Sequence, residues 1–174
     1  METRLTVTEV FRSLQGESTF AGLPCAFVRL TGCSLRCVWC DSAYAFHGGR
    51  DRSVSDVLEE VAGLGVRLVE LTGGEPLEQD GFYPLSVALL DAGYTVLVET
   101  GGHVSLGRVD PRLIKVVDLK CPGSGMEAAN DFGNLGYLGP RDEVKFVVTD
   151  RADFDWALSV VRDHELDRRC TVLV

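Results

Sequence analysis

Short apolar, β-branched runs recur along this chain at Ala26 to Leu30, Arg67 to Leu71, Thr95 to Val98, Ile114 to Leu119, Glu143 to Val148 and Thr171 to Val174. Each has the near-continuous hydrophobicity of a strand buried on both faces. Between most of them the apolar period lengthens to that of a helix. Ser53 opens an S-x-x-D cap with Asp56; Val54, Val57, Leu58 and Val61 then fall at i, i+3, i+4 and i+7, and Gly63 and Gly65 stop the run. A second helix is predicted from Phe82 to Ala92, ended by Gly93, and a third carries Phe154, Ala157, Leu158 and Val161 on one face.

Strand, helix and strand in succession imply parallel pairing through crossovers, hence an α/β fold. A closed eight-stranded barrel takes about 250 residues, and this chain has 174. The expected architecture is a partial, open β/α barrel of about six mostly parallel strands, with residues 1–174 as a single domain. Ligands of such sheets gather at the carboxyl ends of the strands.

At that edge, just after the first predicted strand, Cys33, Cys37 and Cys40 form a C-x3-C-x2-C triplet. Three thiolates on one loop can hold three irons of a four-iron cluster and leave the fourth open to a non-protein ligand. Two plainer readings stand beside that one. A structural zinc site needs a fourth ligand, for which His47 is the nearby candidate, and three buried, unliganded thiols are the third reading. Cys25, Cys121 and Cys170 are scattered in or beside apolar runs, without the spacing of a disulfide framework.

Charge and composition narrow the setting. With 26 acidic against 17 basic residues the formal net charge is −9, so non-specific attraction to nucleic acid or anionic membrane is weak. No run reaches the roughly 18 apolar residues of a membrane span, and Met1-Glu2-Thr3-Arg4 begins no apolar signal segment. Free thiols in such a chain suit a reducing, cytoplasmic setting.

Three more loops close strands at the same edge: Thr72-Gly73-Gly74-Glu75-Pro76, Glu99-Thr100-Gly101-Gly102 and Asp118-Leu119-Lys120-Cys121-Pro122-Gly123-Ser124-Gly125. Singly, each reads as a turn. Together with the thiolate triplet they read as one binding cavity.

C-x3-C-x2-C after the first barrel strand, an aromatic before the last cysteine and Gly-Gly-Glu-Pro after the second strand resemble the radical S-adenosylmethionine superfamily. The resemblance implies that Cys33, Cys37 and Cys40 ligate a 4Fe-4S cluster, that S-adenosylmethionine chelates the open iron, and that Gly73, Gly74 and Glu75 receive the methionine amine. Phe11 to Ser18, Arg29-Leu30-Thr31-Gly32 and Cys40-Asp41-Ser42 narrow it to the 7-carboxy-7-deazaguanine synthase family, over the N-terminus to about residue 150. That family implies a carbon–nitrogen lyase converting 6-carboxy-5,6,7,8-tetrahydropterin to 7-carboxy-7-deazaguanine with loss of ammonia, on the route to queuosine and other 7-deazapurines.

Carried over by motif, Leu14, Gln15, Gly16, Glu17, Arg29 and Thr72 face the pterin. Trp39, Cys40, Asp41, Thr100 and Ser124 join the glycines and Glu75 around S-adenosylmethionine, and Ser42 binds Mg²⁺. The chemistry fits these assignments. Glu17 and the Gln15 amide match the donors and acceptors of a pyrimidinone edge, and Arg29 can grip a carboxylate with its fork. The same residues have ordinary alternatives: a turn at Gln15 to Glu17, a strand-end ion pair at Arg29 and a helix cap at Ser42. The family also implies a flavodoxin or ferredoxin as electron donor, a homodimer, and a C-terminal segment beyond the sixth strand, where this chain stops at Val174. Two rivals remain, an activase placing a glycyl radical on a protein partner and a non-enzymatic metal-binding module.

Overall fold

The computed structural model describes residues 3–174. Its elements run β1 (Arg4–Leu14), β2 (Pro24–Leu30), β3 (Arg50–Ser53), α1 (Val54–Gly63), β4 (Leu68–Gly73), α2 (Phe82–Asp91), β5 (Thr95–Thr100), β6 (Ile114–Asp118), β7 (Glu143–Lys145), α3 (Arg151–Asp163) and β8 (Thr171–Leu173). The strands form one open sheet in the order β3-β1-β2-β4-β5-β6-β7-β8. β2 and β4 to β8 are the six expected strands, and each pairs in parallel with the next.

Two antiparallel strands extend that expectation. β1 pairs with β2 on one side and β3 on the other. β1 alternates polar and apolar residues because only part of it is covered, so Leu5 and Val7 are buried while Arg12, Ser13 and Leu14 are exposed. β3 is Arg-Asp-Arg-Ser and carries no hydrophobic signal; its backbone ladder to Arg4–Val7 holds it in place.

α1 starts where its cap predicts. The Ser53 Oγ accepts from the Asp56 amide at 3.1 Å, and Asp56 Oδ2 accepts from the Ser53 amide at 3.3 Å. Its Val57 and Val61 join Phe82, Leu85 and Leu89 of α2 and Ala157 and Val160 of α3 on one face of the sheet. The strands meet them with every second residue: Ala26 and Val28, Val69 and Leu71, Val96 and Val98, Val117, and Val144. Period 2 sends the alternate residues to the opposite, concave face. Among the described residues no helix is long and apolar enough to cross a membrane.

Candidate active site

The concave face is layered. At its base Phe20, from the β1–β2 loop (residues 15–23), packs with Phe27 onto Cys25, Leu68, Leu97, Ile114 and Val116. Phe27 of this small apolar cluster lines a cavity of about 520 Å³. Above it the next inward positions of the strands are charged or polar: Arg29 on β2, Glu70 and Thr72 on β4, Glu99 on β5, Asp118 on β6 and Lys145 on β7 all line the cavity. The cysteine loop and the Gly73-Gly74-Glu75 turn line its mouth.

The β1–β2 loop is tied across the sheet. The Gln15 side chain is buried, its Nε2 donates to Glu70 and its Oε1 accepts from the Glu17 amide at 3.0 Å. Glu17 pairs with Lys145 Nζ at 2.6 Å. Thr19 donates from its amide and its hydroxyl to Glu143 Oε1 on β7, at 3.0 and 2.5 Å. Three anchors on β4 and β7 thus present Gln15, Gly16 and Glu17 to the cavity.

Two glycines allow the mouth to close tightly. A Cβ on Gly73, at φ +135°, would stand 2.1 Å from the Leu30 carbonyl oxygen; on Gly74 it would meet the Gly32 carbonyl oxygen at 1.9 Å and Cys33 Cβ at 2.9 Å. Backbone contacts then join the loops: the Glu75 amide donates to Gly32 O at 2.7 Å and the Val38 amide to Ser124 O at 3.0 Å. Arg36 donates to the carbonyls of Cys33 and Leu35 and lies 4.3 Å over the Phe46 ring.

Glu75 is almost wholly buried and accepts from the Leu77 amide, the Thr100 hydroxyl and the Gly101 amide. Burial pushes its carboxyl up, against those hydrogen bonds and the nearby His103. Arg29 spends Nε on Glu9 at 2.8 Å and lies 5.7 Å over the Tyr44 ring, while Nη1 and Nη2 have no hydrogen bond among the described residues. Ser42 precedes the short turn Ala43–Phe46, yet its side chain makes no capping bond; its Oγ lies 3.8 Å from Cys40 Sγ at the cavity wall.

Trp39, Cys40, Asp41, Thr72 and Thr100 also line the cavity. Two of the residues singled out from sequence do not. Leu14 is 61% exposed at the end of β1. Ser124 is fully buried, its hydroxyl donating to Cys121 O at 2.6 Å and accepting from the Met126 amide at 3.0 Å, so it braces the cysteine loop from behind. His47 is absent from the lining.

Of the charged lining, Glu99, Asp118 and Lys120 lie in the loops the sequence joined into one cavity, whereas Glu70 and Lys145 were missed. Glu70, Glu99, Asp118, Lys120 and Lys145 line the cavity with the residues already named. The signal for Glu70 and Lys145 was a charge at an inward, period-2 position of a strand. Burial, reinforced by Glu99, pushes the Glu70 carboxyl up to about 8. Burial opposes the charge on Lys145, but Glu99, Asp118 and Glu17 outweigh it and hold the ammonium above its ordinary value. Asp118 pairs with Lys120 at 2.9 Å through Oδ2, and its Oδ1 is buried without a hydrogen-bond partner.

Cys33, Cys37 and Cys40 are free thiols facing one cavity. Burial chiefly raises Cys33 to about 11 and raises Cys37, so a metal must displace their protons. Among the described residues no three His, Cys, Asp or Glu side chains converge tightly enough for a single ion. A cubane held at three corners spreads its thiolates further than one ion does, and three sulfurs with a glycine-walled mouth fit that group.

The Radical SAM superfamily profile matches residues 27–163. A 7-carboxy-7-deazaguanine synthase from Koribacter versatilis is 46% identical over 172 residues, spanning 98% of this chain and 76% of that protein. The same-named enzyme of Chlorobaculum tepidum is 42% identical over 175 residues, 99% of this chain and 80% of its own. Among solved structures, QueE from Escherichia coli aligns with a TM-score of 0.79 at 26% identity, over 92% of this chain and 77% of that one. Streptococcus suis SuiB, at 16% identity and a TM-score of 0.62, shares the fold.

Proposed function

This chain belongs to the 7-carboxy-7-deazaguanine synthase family of the Radical SAM superfamily, and from that membership we propose the reaction its cavity carries out and the residues that serve it. It is a radical S-adenosylmethionine enzyme of 7-deazapurine biosynthesis, a lyase that takes 6-carboxy-5,6,7,8-tetrahydropterin to 7-carboxy-7-deazaguanine and ammonia. The reaction is redox-neutral overall, so S-adenosylmethionine can be regenerated in each turnover.

The observation that carries this reading is the meeting of three motifs in one cavity: the thiolate triplet, the Gly-Gly-Glu-Pro turn and the Gln15-Gly16-Glu17 loop. Cys33, Cys37 and Cys40 would hold the cluster. When bound, cluster and S-adenosylmethionine supply radical hydrogen abstraction. Gly73, Gly74 and Glu75 receive the methionine amine, with Thr100 fixing the Glu75 carboxylate, while Trp39 and Asp41 flank the cofactor. Ser124 serves it by holding Val38 of the cysteine loop in place.

Gln15 and Glu17 hydrogen-bond the pyrimidinone edge, with Gly16 between them, and Leu14 anchors the loop at the strand end. Arg29 offers its outer nitrogens to the substrate carboxylate, and Thr72 stands beside it on the neighbouring strand. Ser42 gives Mg²⁺ one neutral oxygen, and substrate and water oxygens complete the shell of this hard ion. The sheet walls, with Phe27 among them, limit the access of water to the reacting centre. A flavodoxin or ferredoxin delivers the electron, the protein works in the cytoplasm as a homodimer, and residues 1–174 act as one domain.

Anaerobic protein reconstituted with iron and sulfide, then given reductant, Mg²⁺, S-adenosylmethionine and 6-carboxytetrahydropterin, should yield 7-carboxy-7-deazaguanine by mass spectrometry. A four-iron cluster that forms 5′-deoxyadenosine but no deazaguanine would overturn the substrate. Stoichiometric zinc in place of a cluster would overturn the radical chemistry.

A further inference from the structure

Four carboxylates, Glu17, Glu70, Glu99 and Asp118, line one cavity, and a lysine stands among them. Lys145 reaches inward from β7 with only 14% of its side chain exposed. Its Nζ lies 2.6 Å from Glu17 Oε2, contacts Glu99 Oε1 and lies 3.6 Å from Asp118 Oδ2. An ammonium has three protons to donate; Glu17 and Glu99 accept two of them, and Asp118 stands by as an ion-pair neighbour beyond hydrogen-bond distance. Two of its three donors are thus held by carboxylates of the cavity, and its charge acts chiefly on them.

Of the three, Glu17 depends on it most. Asp118 has Lys120 at 2.9 Å, and Glu99 accepts from Thr72 at 3.5 Å. Glu17 sits on a loop with 59% of its side chain exposed, and among the described residues Lys145 is its recorded side-chain partner. Without that cation, Glu17 would face the like charge of Glu99 and would swing to solvent.

We propose that Lys145 is a positioning residue for the substrate, pinning the Glu17 carboxylate over the cavity in the geometry the pterin edge requires. The inference rests on the reading of Glu17 as a pterin contact. It links β7, which bears none of the sequence motifs, to recognition by a loop 128 residues away in the chain.

The test measures 6-carboxytetrahydropterin binding to the reconstituted, unreduced protein with Mg²⁺ and S-adenosylmethionine, together with KM and kcat. Lys145→Met should raise both Kd and KM about 30-fold, with kcat within about threefold and S-adenosylmethionine affinity and iron content unchanged. Lys145→Arg should recover most of the loss. Lys145→Gln carries the same expectation as the Met variant and replaces it if that protein does not fold.

In a Glu17→Ala background, Lys145→Met should add less than about threefold, because two residues acting as one unit are not additive. A Met or Gln variant that binds pterin like the wild type overturns the proposal. So does a fall in kcat at constant KM, or the full loss persisting without Glu17. A wild-type protein that does not bind the pterin overturns the functional reading itself, and that failure shows before any variant is made.

Discussion

β4 presents two faces with opposite demands. Toward the helices it shows Val69 and Leu71, both fully buried in the main hydrophobic core; toward the cavity it shows Glu70 and Thr72, buried among other polar groups. The backbone ladder is common to both, so the difference lies entirely in the side chains. The helix-side face stabilises the fold by removing apolar area from water. The concave face costs stability, since each buried charge must be compensated by a partner. The sheet can carry a strained polar lining because its other face is so uniformly apolar.

Substitutions on the two faces should therefore fail differently. The sharpest contrast is at the mouth: Cys37→Ala should abolish cluster retention, read as iron per protein, while the thermal midpoint of the apoprotein barely moves. Leu71→Ala, on the opposite face, should cost about 2–5 kcal/mol in denaturant unfolding and leave the pterin KM of the folded protein unchanged. Glu17→Ala should spare the cluster and raise the pterin KM about 100-fold; a normal KM would remove Glu17 from recognition.

Glu70 gives the contrast a pH signature. Its folded carboxyl titrates near 8 against an ordinary 4.5. Between those values the folded state binds more protons than the unfolded chain, so this group makes stability fall as pH rises through that window. Glu70→Gln should flatten the slope of unfolding free energy with pH from about 4.5 to about 8, and an unchanged slope would contradict the burial cost assigned to it. The smallest expected effect is at Ser42. Ser42→Ala should raise the Mg²⁺ concentration for half-maximal turnover about tenfold, and an unaltered titration would refute that ligand.

The six parallel strands and α1 were legible because their signals are local, as in the Ser53 cap and the valines that follow it. β3 was not, since Arg50 to Ser53 has no apolar residue and takes its conformation from pairing with β1. The mouth of the site was legible in Cys33, Cys37, Cys40 and Gly73 to Glu75, whose chemistry is written in short spacings. The tethers of the β1–β2 loop were not: Thr19 meets Glu143 and Glu17 meets Lys145 across more than 120 residues of chain. Ser124 shows a third case, a residue beside the site by sequence that is buried and spends its hydroxyl on its own loop.

The β1–β2 loop stands apart from the rest of the site in how it is built. The loops proposed for radical generation lie at the carboxyl edge, whereas the groups proposed for the pterin edge come from one contiguous stretch, residues 15–17, seated by Phe20 in an apolar socket. The loop is an insert carried by an antiparallel hairpin, outside the parallel repeat. It is built as a separable unit: residues 15–17 can be altered without touching the cysteine loop or the Gly73–Glu75 turn, so long as Phe20 stays seated and the tethers to β7 hold.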